Sequence, residues 1–267
     1  MDTLIESLSG LSPIGLGLAG SLIAGLGTGV GALPMFLIPR LTPRIQDVLL
    51  AFSAGIMLAA TFFSLIQPGL DAAAVVTEHP GLAAGLVILG VLFGAAALWA
   101  IHTRVPHEHV VLGRQGPQAP QLHRMWLLVL AITLHNLPEG LAVGVGFGGP
   151  DIANAVGLMI GIGLQNMPEG LAVAVALTTI GYSRASAFGV ALLTGLVEPV
   201  GGLIGVAAVS LAAALLPWGL AFAAGAMLFV ISNEIIPETH RRGFEGSVTF
   251  ALLGGFSLML FLDQALA

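Results

Sequence analysis

The sequence predicts an all-α, polytopic membrane protein of eight transmembrane helices forming a single domain over residues 1–267. Three observations predict it. Hydrophobic residues fill 57% of the chain and charged residues 8%, with a mean hydropathy of +1.00, which leaves too little polar material to cover a soluble fold. Charge-poor runs recur at about the 20 residues a helix needs to cross roughly 30 Å of hydrocarbon. Every basic residue is an arginine, and all eight fall in alternate connections.

Taken in order, residues 7–39 carry no charge over 33 positions. Asp2 and Glu6 precede them without the basic n-region of a cleaved signal, so the segment is read as a retained first helix. Further spans are expected at about 48–70, 81–101, 125–147 and 153–180. Leu216, Pro217 and Trp218 are read as dividing the next apolar stretch into spans at about 186–210 and 218–238, and a last span runs over about 247–266. Residues 102–124 hold His102, His107, Glu108, His109 and His123 among Pro106, Pro117 and Pro120, and read as a flexible connection. Trp99, Trp126 and Trp218 fall at expected span ends, where indoles anchor at headgroup level.

Orientation follows from the arginines. Arg40 and Arg44, then Arg104, Arg114 and Arg124, then Arg184, then Arg241 and Arg242 occupy four loops, and the opposite loops hold none. The positive-inside rule makes those four cytoplasmic, the 102–124 loop among them, and sets both termini outside, as expected for a multi-pass protein of the cell (inner) membrane. Asp2, Glu6, Asp71, Glu78, Asp151 and Asp263 then collect near the outer ends, either as ordinary solvated polarity or as an acidic face that concentrates cations.

Composition also excludes. With 14 acidic against eight basic residues the formal charge is -6, so no basic stripe exists for nucleic acid. Without cysteine there is no disulfide framework, thiolate zinc cluster or cysteine nucleophile. The run Gly25, Gly27, Gly29, Gly31 lies inside an apolar span with no strand before it, so it reads as helix packing rather than as a nucleotide loop. No Ser/His/Asp set and no His-Glu-x2-His helix is present.

The informative residues are polar and central. Glu139, Glu169 and Glu198 each stand near the middle of one of three consecutive spans. An ionised carboxylate there costs about 2.5–3.5 kcal/mol on the lenient insertion scale. No lysine exists and no arginine lies within an apolar span, so the carboxylates are either protonated or face a cation. The sequence His135-Asn136-Leu137-Pro138-Glu139-Gly140 puts imidazole and carboxylate at i and i+4 on one helical face, with Asn136 beside them. Thirty residues on, Gln165-Asn166-Met167-Pro168-Glu169-Gly170 repeats the pattern on an antiparallel span, an inverted pair of the kind found around midplane transport sites. Pro138 and Pro168 free the carbonyls of Leu134 and Leu164, which need another partner in hydrocarbon. Glu198-Pro199 places the same pair of residues on a third helix. Met57, central in the second span, is either core filling or a thioether ligand.

The two hexapeptides, together with Glu198-Pro199-Val200-Gly201 and Asn233-Glu234-Ile235-Ile236-Pro237-Glu238-Thr239-His240, resemble the signature of the ZIP (Zrt/Irt-like) metal-ion transporters, in particular their bacterial GufA-like members. The resemblance covers nearly the whole chain and implies one transporter domain with a binuclear site. One metal would take Met57, His135, Glu139, Gln165 and Glu169. Its neighbour would take Asn136, Asn166 and Glu198, with Glu139 and Glu169 bridging. The resemblance further implies an external access route near Ser64 and Asp263, a cytoplasmic exit near Asp47, Glu234, Glu238 and His240, and released metal held by His107 and His109. It implies an elevator motion of helices 1, 4, 5 and 6 against 2, 3, 7 and 8, often within a homodimer. The sequence departs from the family pattern at Asn166, where some relatives carry an acidic group, and at Asn233, where some carry histidine.

Imidazole, carboxylate, amide and thioether together suit Zn2+ and Cd2+, and tolerate Fe2+ or Mn2+ better than Mg2+. The ions would be cargo, not a catalytic cofactor, and no enzyme activity is expected. The partners expected are divalent metal ions, the lipid bilayer and a second copy of the chain. Two other classes stay open on the residues alone: an intramembrane metallohydrolase with Glu139 or Glu169 as general base, and a proton-coupled carrier of an organic substrate.

Overall fold

The computed structural model describes residues 10–38, 41–109, 113–115, 124–179 and 181–266. Among them run eight long helices. The first, α1, covers Pro13–Phe36, its last turn tightening to a 3-10 helix at Leu33–Phe36. Next come α2 (Pro43–Thr77) and α3 (Pro80–Arg104), then α4 (Arg124–Gly148) and α5 (Ile152–Thr179). α6 (Arg184–Leu211) is interrupted by a turn at Leu196 and Val197, α7 covers Ala213–Thr239 and α8 covers Glu245–Leu266. Seven of these are long and apolar enough to cross a membrane. The other, α4, is 25 residues long and carries His135, Asn136 and Glu139.

Helix starts follow local rules. Ser12, Thr42 and His79 each precede a proline and accept a backbone N–H from the first turn, at 3.2, 3.3 and 3.2 Å. Such a cap satisfies a donor the helix cannot, and proline in the first turn loses no hydrogen bond. Asp151 and Ser183 cap α5 and α6 in the same way, at 2.9 and 3.1 Å.

Two expectations shift. The break between the sixth and seventh spans lies at Ala212, α7 opening with a 3-10 turn at Ala213–Leu215, and not at Leu216–Trp218, because Pro217 sits in the first turn of an α-helix, where its missing N–H costs nothing. The 102–124 connection is not wholly irregular: His102 belongs to α3, and a short antiparallel ribbon pairs β1 (His107–His109) with β2 (Gly113–Gln115). Asp2, Glu6, Arg40 and His123, and the side chains of Glu108, His109, Arg114, Arg124 and Trp126, lie outside what the structure describes.

Glycine sets the helix spacing. A Cβ on Gly140 or Gly144 of α4 would stand 2.0 Å from the carbonyls of Glu198 and Gly202 of α6. α1 meets α5 through Gly31 on the Met167 carbonyl and Gly170 on the Thr28 carbonyl, and meets α6 at Gly25 and Gly195. The same contact joins α2 to α8 at Gly55 and Gly255, and α3 to α7 at Gly94 and Gly225. With lipid as apolar as leucine, such close backbone packing is what holds helices together. One set of helices, α1, α4, α5 and α6, is therefore interlocked backbone to backbone, and α2/α8 and α3/α7 form pairs beside it. Arg44 reaches Ser247 (2.7 Å), Arg184 the Phe36 carbonyl (2.8 Å) and Arg242 Asp47 (3.3 Å), so the arginine-bearing connections gather at one end of the bundle.

Two alanine substitutions on α3 separate packing from propensity. Gly94→Ala puts a methyl 2.0 Å from the Phe222 carbonyl, whereas Gly85 faces open space. Gly94→Ala should lower the melting temperature of the purified protein through overpacking of about 1–3 kcal/mol, and Gly85→Ala should leave it unchanged or slightly raised.

Candidate metal centre

The three glutamates are buried at the meeting of α2, α4, α5 and α6, each held by a neutral donor. Gln165 donates from Nε2 to Glu139 Oε1 at 2.7 Å. Asn166 donates from Nδ2 to Glu198 Oε1 at 2.6 Å and to the Ala24 carbonyl of α1 at 2.9 Å. Ser53 of α2 donates to Glu169 Oε1 at 2.6 Å, and is 3.0 Å from the Gln165 carbonyl. One turn beyond Ser53 on the same helix stands Met57, fully buried. Of the expected ligands, Glu139 and Gln165 are thus joined, as are Asn166 and Glu198, and Ser53 of α2, not among those expected, joins Glu169.

The fold explains why Glu-Gly recurs. Gly140 follows Glu139 and lies against the Glu198 backbone, and Gly170 follows Glu169 and lies against Thr28. The glycine admits the neighbouring helix to contact distance beside each carboxylate.

Several buried atoms of this cluster have no hydrogen-bond partner: both side-chain atoms of Asn136, Glu139 Oε2, Gln165 Oε1, Asn166 Oδ1 and Glu198 Oε2. An unpartnered buried polar atom costs about 1–3 kcal/mol. All but the Asn136 nitrogen are oxygens, the atoms a cation would take. Among the described residues no three His, Asp or Glu side chains converge closely enough to hold an ion by themselves.

His135 turns elsewhere. Its Nε2 bonds Glu234 Oε2 of α7, and the other oxygen of Glu234 lies 3.1 Å from His102 Nδ1 of α3. His107 stacks edge-on against His102, with ring centroids 4.1 Å apart, and donates to the Val105 carbonyl at 2.8 Å. Burial pushes the His107 imidazole below its ordinary pKa, opposed by that carbonyl, which favours the neutral ring at neutral pH. His102, expected in the connection after the third span, lies instead in the last turn of α3, two residues before its end.

Toward the ends of the bundle, Ser64 donates to Asp263 at 3.1 Å, and Asn154 donates to the Ser64 carbonyl at 3.1 Å. At the arginine end, Asp47 is buried against Arg242, and Glu238 is buried one turn from Glu234. The His240 ring is 2.9 Å from the Ile236 carbonyl of its own helix. Of His109 only the backbone is placed, opposite Gly113.

This arrangement defines a polytopic membrane protein whose helices bury paired carboxylates and amides at their meeting point. The family model described as the ZIP Zinc transporter matches residues 105–263. The zinc transporter GufA of Myxococcus xanthus is 48% identical over 254 residues, 95% of this chain and 100% of that protein. The zinc transporter ZIPB of Bordetella bronchiseptica is 44% identical, over 98% of this chain and 86% of the relative. The human zinc transporter ZIP11 is 33% identical, over 97% and 99%. The chain belongs to the ZIP family, a family of transporters and not of enzymes.

Asn136 and Asn166 differ in their bonding. Asn136 is buried with an unpartnered amide, while Asn166 makes two bonds. In metal-free protein Asn136→Leu should leave stability unchanged or raise it by up to about 1–3 kcal/mol, and Asn166→Leu should lower it, as thermal melts in detergent would read.

Proposed function

We propose that the chain carries divalent transition-metal ions, zinc foremost and cadmium with it, across the membrane into the cytoplasm. Iron(II) and manganese(II) fit the same ligand chemistry less well. The observation that carries this reading is the set of buried, unpartnered oxygens around Glu139 and Glu198, in a chain with no lysine and no arginine near them. A cation supplies both the missing charge and the missing partners. The relatives' names supply the identity of the ion.

Two adjacent positions are assigned. One uses Met57, His135, Glu139, Gln165 and Glu169, with His135 turning from Glu234 to the ion. The other uses Asn136, Asn166 and Glu198, with Glu139 and Glu169 between them. The arginine end faces the cytoplasm and both termini face outward. The ion arrives past Ser64 and Asp263 and leaves past Glu234, Glu238, Asp47 and His240 toward the His107/His109 ribbon.

The glycine-locked set α1, α4, α5 and α6 moves as one body against the α2/α8 and α3/α7 pairs, an elevator motion. Support comes from the nature of the contacts: within the set, backbone touches backbone, and across the boundary the polar contacts run through side chains such as Ser53, Asn154 and His135.

Zinc flux into proteoliposomes tests the assignment. Glu139→Ala and Glu169→Ala should insert normally yet lose at least the ~10- to 100-fold that removal of an outer-shell partner costs a metal site. Wild-type uptake should also weaken as pH falls, because protons compete for the ligands. Normal flux in both variants would refute the site. The absence of native cysteine allows a clean second test of the motion. A short, cleavable bis-thiol cross-linker joining Ser64→Cys to Asn154→Cys should stop flux, and its cleavage should restore it; undiminished flux in the cross-linked protein would rule out the elevator.

A further inference from the structure

Seven serine and threonine side chains are buried among the described residues. Four bond a carbonyl of their own helix: Ser21 to Gly17, Thr61 to Met57, Thr194 to Ala191 and Thr239 to Ile235, at 2.7–2.9 Å. Ser53 and Ser64 bond side chains of other helices. Thr28 of α1 alone has a buried hydroxyl with no partner.

The cause lies one turn back. A helical threonine ordinarily bonds the carbonyl at i−4, here Ala24. That oxygen already accepts the helix N–H and the Asn166 side chain at 2.9 Å, so both lone pairs are in use. The hydroxyl is directed toward α6 instead, where a Cβ on Gly195 would stand 2.8 Å from it. Gly195 ends the first half of α6, and Pro199, four residues on, has no N–H to offer its carbonyl. Beside these groups are Glu198, whose Cβ is 3.4 Å from a Cβ built on Gly25, and Asn166, which bonds it. Glu198 Oε2 and Asn166 Oδ1 are unpartnered as well.

We propose that Thr28 is a further positioning residue of the cation position at Asn166 and Glu198. A divalent ion there keeps one water beside its assigned ligands. That water donates a hydrogen to the Thr28 oxygen, and the Thr28 hydroxyl donates its own to the Gly195 carbonyl of α6. Thr28 acts through the water and does not touch the metal. This rests on the ion site proposed above, and it assigns to α1 a part in binding that none of the ligands there supplies.

The test is equilibrium zinc binding to the full-length protein in detergent, with the bound metal counted. Wild type should show two classes of site. Thr28→Val, which keeps the shape and removes the hydroxyl, should weaken one class by roughly tenfold, the size of one lost hydrogen bond, and leave the other unchanged. Thr28→Ser should restore wild-type binding. A Thr28→Val isotherm that superimposes on wild type would overturn the proposal, as would equal weakening of both classes with a lowered melting temperature, the mark of a mere packing role. A wild-type protein with a single class would overturn it too, and one that binds no zinc would instead bring down the ion site itself.

Discussion

Backbone-to-backbone contact through glycine is the constraint on which the rest of this molecule depends. Three carboxylates on three helices can share one ion only if the helices approach to a few ångströms, and any side chain larger than hydrogen at Gly140, Gly170 or Gly195 would stand inside a neighbouring carbonyl or hydroxyl. The hydrophobic effect cannot provide that approach in lipid, so small residues and weak Cα–H···O contacts must. Packing and chemistry are therefore encoded side by side, in one dipeptide, Glu-Gly, used twice.

The electrostatics follow from the spacing. Carboxylates drawn together without a basic residue need donors, and the chain gives each one a neutral donor: Gln165, Asn166 or Ser53. Neutral donors orient a carboxylate and leave its charge to be balanced by a mobile ion, whereas an arginine would balance it permanently. The one imidazole of the cluster is tied to Glu234 and through it to His102, which couples the middle of the bundle to its arginine end.

Most of the fold was legible in the sequence because charge-poor runs and arginine placement are one-dimensional signals. The helices expected at about 81–101 and 153–180 lie within a few residues of Pro80–Arg104 and Ile152–Thr179. The division near Trp218 falls earlier than expected, because Pro217 opens a helix and does not break one. The glutamates and amides were legible too, since a polar group in an apolar run has few innocent explanations. Ser53, Thr28 and His102 were not. A serine or threonine in a helix usually satisfies itself, and only the positions of other helices reveal that these hydroxyls do not.

Two helices depart from α geometry at one turn each. In α2 the residues Thr61–Ile66 and in α7 the residues Ile231–Ile235 form π turns, and each is followed two residues later by proline, Pro68 and Pro237. A π turn amounts to an α-helix carrying one surplus residue. Deleting that residue would make the ladder regular and swing everything beyond it by about 100° around the axis. Ser64 lies in one of these turns and Glu234 in the other. The surplus residues thus act as angular offsets, letting one rod present its two halves in directions that an unbroken spiral could not reconcile, and they forbid a change of length by one at either place.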